Sequence, residues 1–385
     1  MRLLRVETSD FRNLAAQAVE LSPHTTVLAG ANGQGKTNFL EACFLLCTLR
    51  ALRAQKLSEL VRFGAAQTAV TGWFALPGGV RQVAVSVADG KRSAHVDGKL
   101  VRDPDELFGG LAVVAFTPDD LALVKGGPEG RRRLLDRAVQ NRHPAQLTDA
   151  RDYLRALRSR NQLLRQGAPQ ALHEAFEEPL ALLGARLRVR RERLLAEMRE
   201  HAARAFAEVA RGEAPLRLTY LAAGRDSDAL GAEASERGED ALAAALLAAL
   251  RRRLPRDRER GYTSVGPHAD DLSLALGDRP ARLFASQGQT RAVVLAFKIG
   301  EIENLRRVQG RAPLLLLDDV SSELDPQRNE FLMHYLGALQ GQVVLTTTDP
   351  RLVAAATQAK EGTADAVFHS VQNGRIERAT PAKNT

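Results

Sequence analysis

The chain has 385 residues, 44% of them hydrophobic, and its 54 Lys and Arg against 46 Asp and Glu give a formal net charge of +8. This length and apolar content are sufficient for one large domain or two with a real core. Arg2 and Arg5 stand where a secretory signal needs an apolar run, and no apolar stretch reaches membrane-spanning length. We therefore expect no signal peptide and no membrane segment.

The cysteines indicate the cellular compartment, and the arginines indicate the kind of partner. Cys43 and Cys47 lie four residues apart, which is not a metal or redox spacing, so we interpret them as small core residues of a cytoplasmic protein. The positive charge predicts an anionic partner and favours nucleic acid. A GC-rich genome would enrich arginine as well, and no Lys occurs between Lys125 and Lys298.

The predicted elements begin with a strand over 3–8 and reach a phosphate-loop motif after the β-prone run Thr25–Ala29. The motif reads G-x-x-x-x-G-K-T and consists of Gly30, Ala31, Asn32, Gly33, Gln34, Gly35, Lys36 and Thr37. A helix is predicted over 38–49. In such a loop the backbone N–H groups cradle phosphates, the Lys reaches the β- and γ-phosphates, and the Thr hydroxyl binds Mg²⁺.

Short strands follow the predicted helix. Three alternating stretches lie between 68 and 96, and Asp-Gly pairs at 89–90 and 97–98 are hairpin-turn signals. We predict an antiparallel meander here and a further strand over 111–116. A sheet of this kind beside a phosphate loop argues against a simple nucleotide kinase.

The middle of the chain is predicted to be helical and rich in arginine. Pro128 suits the first position of a helix, and the pattern over 149–254 is helical, with breaks at 212–215 and 224–238. We interpret this stretch as a compact helical insertion, too interrupted for a long coiled coil. The DNA-contact candidates, chosen on charge, are Arg131, Arg132, Arg133, Arg251, Arg252 and Arg253. The alternatives are an exposed helix face for the first triplet and a solvated linker for the second.

Three potential metal ligands, His268, Asp270 and Asp271, precede the strand predicted over 272–276. Because they crowd into one short segment and no distant partner is evident, we interpret the segment as a turn rather than a metal site.

A later segment carries features of a nucleotide-contacting helix start. Ser286 is a natural helix cap, and Gly288 would allow the backbone to approach a ligand closely. A strongly apolar helix is predicted to follow over 292–302. Alone, the pattern is equally that of an ordinary helix cap.

The apolar run 313–317 predicts a buried parallel strand that ends in two carboxylates, Asp318 and Asp319. Asp318 would hold Mg²⁺ through water, and Asp319 would polarise the attacking water. Asp325 and a strand over 342–349 follow in the order expected for an ABC-type ATPase head.

Together these segments resemble the RecF family of bacterial recombination-repair ATPases, which are relatives of SMC heads, over almost the whole chain. The resemblance rests on residues 11–13, the phosphate loop, 118–136, 266–271, 286–289 and 317–325. It implies an α/β fold, an ABC-type P-loop ATPase head in which a mixed sheet with an antiparallel subsheet is joined to a mainly helical second lobe. The ATP-binding lobe would comprise 1–117 and 311–385, and the signature-motif lobe 118–310.

The resemblance also implies a function that uses ATP and Mg²⁺. Lys36 and Asp319 would be catalytic, Thr37 and Asp318 would bind the metal, and two heads would close on two ATP molecules as a homodimer. Further nucleotide contacts would come from Arg12, Asn13, Ser286, Gly288, Gln289 and Asp325. The closed dimer would hold duplex DNA near single-strand gaps and hydrolyse ATP weakly, with DNA stimulation. With RecR and RecO it would help RecA to load.

Four positions depart from the usual pattern. Asp319 stands where ABC heads have Glu, and Thr348 where many have a switch His. Thr117 lies nearest to the expected Gln of the γ-phosphate-sensing loop, and Ala269 replaces an expected Arg. The shorter side chain of Asp319 fits slow hydrolysis and a switch rather than a motor.

Three other functions share part of this evidence. The ATPase subunit of a transporter would show the Gln loop and the switch His and would not need the arginine-rich insertion. An SMC-like head would need a coiled-coil arm, for which the stretch between Lys125 and Ser286 leaves little room. A DNA-binding module without enzymatic activity would bind DNA equally well after Lys36→Ala.

Overall fold

The computed structural model describes residues 1–54, 56–102, 111–210, 214–223, 238–353 and 366–379, apart from the side chain of Glu323. The chain divides into two units, which we call unit 1 (Met1–Asp120 and Glu301–Thr385) and unit 2 (Leu121–Gly300). The motifs place the boundaries between the ATP-binding lobe and the signature-motif lobe at 117/118 and 310/311, and this functional division stays a proposal.

The described residues form fifteen strands and ten α-helices. The strands are β1 (Arg2–Ser9), β2 (Gln17–Glu20), β3 (Thr25–Ala29), β4 (Gln67–Leu76), β5 (Gly79–Ala88), β6 (Lys91–Val96), β7 (Lys99–Leu100), β8 (Val113–Phe116), β9 (Leu216–Leu221), β10 (Asp271–Leu276), β11 (Arg279–Pro280), β12 (Leu314–Asp318), β13 (Val343–Thr347), β14 (Val367–Gln372) and β15 (Arg375–Ala379). The helices are α1 (Lys36–Thr48), α2 (Ala122–Lys125), α3 (Pro128–Gln140), α4 (Gln146–Arg165), α5 (Gln170–Val209), α6 (Glu239–Arg260), α7 (Ala281–Phe284), α8 (Gln287–Gln309), α9 (Val320–Glu323) and α10 (Pro326–Ala338).

A six-stranded mixed sheet in unit 1 has the order β15–β14–β3–β13–β12–β8. β15 pairs antiparallel with β14, and the other pairings are parallel. Every residue of β12 and β13 is buried, the pattern of strands covered on both faces. Because β3, β13 and β12 are parallel neighbours, their carboxyl ends meet at one end of the sheet. The phosphate loop follows β3 at this end, and the acidic pair Asp318-Asp319 stands there at the end of β12.

A second, antiparallel sheet of unit 1 has the order β2–β1–β4–β5–β6–β7. Both predicted Asp-Gly turns lie in it, and all four residues have positive φ: 50° and 67° at 89–90, and 49° and 76° at 97–98. Two consecutive positive-φ residues define the turn that matches the twist of a tight hairpin. The predicted meander and the predicted fold class, a mixed sheet with an antiparallel part, are confirmed. Cys43 and Cys47 are buried in α1.

Unit 2 is mainly helical, and its apolar core lies between α4, α5 and α6, with Tyr153, Leu187 and Leu246 among its members. The three-stranded antiparallel sheet β11–β10–β9 also belongs to it. The strand over 272–276 was predicted, whereas β9 was not, because it lies within a region assigned as helical. Most of the predicted breaks, 212–215 and 224–238, lie outside the described residues.

Several smaller predictions can be compared with the structure. Pro128 begins α3, as predicted. The alternative that Arg251–Arg253 forms a linker is wrong, because the triplet lies within α6, whose buried side includes Leu250 and Leu254. The segment 266–271 contains the predicted turn, and within the described part of the chain no group of His, Cys, Asp or Glu forms a metal cluster. None of the described helices has the length and apolar character needed to cross a membrane.

Candidate nucleotide site

The phosphate loop joins β3 to α1 and depends on its glycines. Gly33 and Gly35 have φ of 78° and 115°, which favour glycine. A Cβ at Gly30 would lie 2.4 Å from the carbonyl oxygen of Val371, so the loop packs directly against β14. α1 begins at Lys36, directly after the last glycine of the motif, and its free N–H groups and positive dipole end favour an anion there.

The ammonium group of Lys36 lies at the loop backbone. Lys36 as a residue is 6% exposed, and its Nζ donates to the carbonyl oxygens of Gly30 at 2.6 Å and Ala31 at 2.9 Å. Burial lowers the pKa of Lys36, and the charges of Asp319 and Asp318 act in the opposite direction. The cation is therefore positioned where the loop would receive the β- and γ-phosphates.

The carboxylate of Asp318 accepts three hydrogen bonds at the end of β12. Its Oδ1 accepts from the hydroxyls of Thr37 at 2.6 Å and Thr346 at 3.1 Å, and its Oδ2 accepts from Nη2 of Arg53 at 2.7 Å. A carboxylate and a hydroxyl oxygen in contact are hard ligands of the kind Mg²⁺ prefers. The predicted metal ligands, Thr37 and Asp318, are thus brought together.

Asp319 has an unpartnered carboxylate oxygen. Its backbone is left-handed, with φ 49° and ψ 31°, and its N–H donates to Thr346 Oγ1 at 2.9 Å. Oδ1 is buried and accepts no hydrogen bond from the described residues. Buried polar atoms without a partner are uncommon. Thr37, Asp318 and Asp319 therefore fit a hydrated Mg²⁺, which when bound would stabilise charge on the transferred phosphoryl group.

Glu41 accepts hydrogen bonds from two arginines at this site, and the sequence analysis did not identify Glu41 as a site residue. The carboxylate is fully buried in α1, where Oε2 accepts from Arg12 Nε at 2.8 Å and Oε1 accepts from the backbone N–H of Arg53 at 3.0 Å. One buried charge thus holds both the predicted Arg12 and the unpredicted Arg53. The available signal was that Glu41 is the only charged residue between Lys36 and Arg50.

The β14–β15 hairpin turn supports the phosphate loop from the far end of the chain. Gly374 N–H donates to Gln34 O at 2.9 Å, and Asn373 N–H donates to Gln34 Oε1 at 2.7 Å. On the other side, Asn13 Nδ2 donates to Gly33 O at 3.2 Å, and Asn13 Oδ1 accepts from Asn38 at 2.7 Å. The predicted Asn13 and Gln34 therefore hold the shape of the loop. Asn373-Gly374 was not predicted, although Asn-Gly is a recognisable turn signal.

The predicted signature residues Ser286, Gly288 and Gln289 lie in unit 2 at the start of α8. Ser286 N–H donates to Gln289 Oε1 at 2.8 Å, and Gln289 N–H donates to Ser286 Oγ at 3.1 Å. This reciprocal pair is a capping box, which fixes the first turn of the helix. Ser286 is exposed, and so are the preceding Leu283 (73%) and Phe284 (61%).

Asp325 caps a helix. Its Oδ1 accepts from Arg328 N–H at 3.0 Å at the start of α10, and its Oδ2 pairs with the Arg328 guanidinium. These bonds, the backbone one first, lower the pKa of Asp325. Thr348, at the switch position, is exposed, and Thr117 N–H donates to Asp120 Oδ2 at 2.7 Å.

The arginines predicted to contact DNA differ in their burial and in their partners. Arg131 is 4% exposed, and its Nε and Nη2 donate to the carboxylate of Asp271 at 2.7 and 2.9 Å. This corrects the expectation that it faces a DNA phosphate, because its guanidinium is bound inside unit 2. Arg132 donates to Asp270 O at 2.8 Å, and exposed Arg133 pairs with Glu129 on its own helix. Arg251 and Arg252 are exposed on α6, whereas Arg253 is half-buried.

Comparison with known proteins agrees with this geometry. The family model described as the RecF/RecN/SMC N-terminal domain matches residues 2–366. The DNA replication and repair protein RecF of Anaeromyxobacter sp. (strain K) is 56% identical over 380 residues, covering 98% of this chain and 99% of that protein. RecF of Myxococcus xanthus (strain DK1622) is 54% identical over 358 residues, covering 92% and 93%.

Solved structures agree as well. A structure described as the recombination mediator protein RecF with ATP in the RecFOR pathway superposes with a TM-score of 0.84 at 28% identity, covering 98% of both chains. An SMC head bound to the C-terminal winged-helix domain of ScpA has a TM-score of 0.55 at 16% identity, which shows a shared fold. The chain therefore belongs to the RecF family of DNA replication and repair proteins, whose ATP-binding heads share the SMC fold.

Proposed function

We propose that the protein is an ATP-dependent DNA-binding switch of recombinational repair and replication restart. The observation that carries the proposal is the convergence of Lys36, Thr37, Asp318 and the unpartnered oxygen of Asp319 at the phosphate loop. These groups would bind MgATP and orient a water for weak, DNA-stimulated hydrolysis. The ATP-bound structure of a relative supports ATP as the nucleotide.

The proposal includes closure of two copies on ATP. Ser286 and Gly288 are presented in unit 2 on a fixed helix start, and we infer that they contact the nucleotide of a second copy. The exposed apolar side chains of Leu283 and Phe284 beside them support a protein contact at this place. Because ATP would touch both copies only when they are closed, binding would shift the population towards the dimer.

The remaining parts of the proposal rest on family membership. The dimer would hold duplex DNA near single-strand gaps and, with RecR and RecO, help RecA to load. A chromosomal substrate would place this activity in the cytoplasm. The one methylene that separates Asp319 from the usual Glu fits a slow hydrolysis rate.

The test is fluorescence anisotropy of labelled duplex DNA at fixed salt, with and without MgATP. We expect the wild type to bind DNA tightly only when MgATP is present, and we expect Lys36→Ala to lose this ATP-dependent binding. The matched control is Lys99→Ala, which removes an exposed Lys of β7 in the antiparallel sheet. Equal affinity for Lys36→Ala and wild type in MgATP would reduce DNA binding to a charge effect and contradict the switch.

A further inference from the structure

One face of α4 is composed almost entirely of arginine. The side of the helix that packs into unit 2 is formed by Tyr153, Leu157, Arg160 and Leu164. The positions opposite, spaced by four and three residues, are Arg151, Arg155, Arg158, Gln162 and Arg165, and all are exposed. At 100° per residue these five positions fall within one outward stripe. Four of the five carry a fixed positive charge and none carries an acid.

Two exposed arginines of other helices are each paired with an acid on their own helix. Arg133 pairs with Glu129 on α3, and Arg204 with Glu200 on α5. On the α4 stripe the ion pairs among described residues are both with Asp152, which lies 3.2 Å from Arg151 and 3.8 Å from Arg155. One carboxylate against four guanidinium groups leaves the stripe strongly positive.

The stripe continues onto the end of α6. The backbone of Gly261 lies against Arg165, because a Cβ there would be 3.2 Å from Arg165 Cγ. Arg258 donates to Ala168 O at 2.9 Å, just beyond the end of α4, and exposed Arg260 stands in the same last turn of α6. The α4 basic face, as we define it, consists of Arg151, Arg155, Arg158, Arg165, Arg258 and Arg260.

We propose that the α4 basic face binds the phosphate backbone of duplex DNA. The first and last arginines of α4, Arg151 and Arg165, are 14 positions apart, about 21 Å of helix, which matches the rise of about six base pairs at 3.4 Å each. Guanidinium groups bind phosphate oxygens in a fixed fork geometry. No aromatic residue is among the six, so the face suits contacts with the backbone rather than stacking on bases. This inference rests on the proposed function and replaces buried Arg131 as a DNA contact.

The test compares the salt dependence of DNA binding in MgATP for Arg155→Gln/Arg158→Gln and for the control Arg199→Gln/Arg204→Gln, which neutralises two exposed arginines of α5. Each lost phosphate contact lowers the slope of log K against log salt by about 0.9. We expect the α4 variant to lose about 1.8 per bound protomer and the control to keep the wild-type slope. Arg151→Gln/Arg165→Gln should repeat the loss, and circular dichroism should show all variants folded.

The outcomes separate the two proposals. ATP-dependent binding by the wild type with an unchanged slope in both α4 variants would overturn the α4 basic face and leave the proposed function standing. An equal loss of slope in the control would overturn it too, because the effect would then be one of net charge. Absence of DNA binding by the wild type would overturn the proposed function itself. An α4 variant that also fails to dimerise with MgATP would show a protein interface there instead.

Discussion

Replacement of Gly374 by Ala should weaken ATP binding from outside the ATP motifs. Gly374 has φ 78°, and a Cβ there would lie 2.0 Å from the carbonyl oxygen of Asn13. Real Cβ contacts stay above 3.0 Å, so the hairpin and the Asn13 segment must separate by about 1 Å. Both segments hold the phosphate loop, through Gln34 and Gly33 respectively. Because losing one hydrogen bond to a charged phosphate costs about 1.5–3 kcal/mol, we expect ATP affinity to fall by about 10- to 100-fold.

Gly98→Ala is the matched control for this substitution. Gly98 has nearly the same φ, 76°, in a hairpin turn of the antiparallel sheet, and a Cβ added there would meet no other described part of the chain within 4 Å. Both variants carry the left-handed strain of a non-glycine residue, about 1–2 kcal/mol. Thermal unfolding should therefore show both variants destabilised, and Gly374→Ala more so because of its clash with Asn13 O. Titration with a fluorescent ATP analogue should show weakened ATP binding only in Gly374→Ala. Wild-type affinity in both variants, or equal weakening in both, would refute the role of the hairpin.

Two further substitutions test the site and the helical unit. Glu41→Gln removes the charge that holds Arg12 and Arg53, so denaturant unfolding should show a loss of about 1.5–3 kcal/mol, and unchanged stability would contradict this account of Glu41. His268 is half-buried, and this burial lowers its pKa, a shift partly opposed by its hydrogen bond to Thr263 O at 2.9 Å. Because the unfolded pKa of about 6.5 is the higher one, the unfolded state binds more protons below it, and this part of the stability is lost as pH falls towards the folded pKa. His268→Asn should therefore lose less stability than wild type between about pH 7 and pH 5. Equal losses in the two proteins would contradict this contribution of His268 to the pH dependence.

The centre of the nucleotide site was predictable because each of its motifs is local. The phosphate loop needs only a strand, a glycine-rich turn and a helix, and the buried run before Asp318 identifies a central parallel strand. Since the carboxyl ends of parallel strands meet, the two motifs could be placed together although 281 positions separate Thr37 from Asp318. The hydrogen bond between their side chains bears this out.

The residues that support the site from distant parts of the chain could not be predicted from local motifs. The contact between Gly374 and Gln34 depends on β14 lying beside β3, and strand order is not a local property. Arg131 has the helical spacing of a surface or interface residue, and its partner Asp271 stands 140 positions away. Local periodicity shows which face of a helix is apolar, but it does not show which arginine is neutralised by a distant carboxylate. The charge-based DNA candidate Arg131 fails at this step.

The central claim is that ATP bound in unit 1 joins two copies through the segment 286–289. Analytical ultracentrifugation of Asp319→Asn, chosen to slow hydrolysis, with and without MgATP tests it most directly. The account predicts a monomer without nucleotide, a dimer with MgATP, and a monomer that still binds ATP when Ser286→Arg is added. A protein that binds MgATP and stays monomeric without the Ser286 substitution would contradict the account.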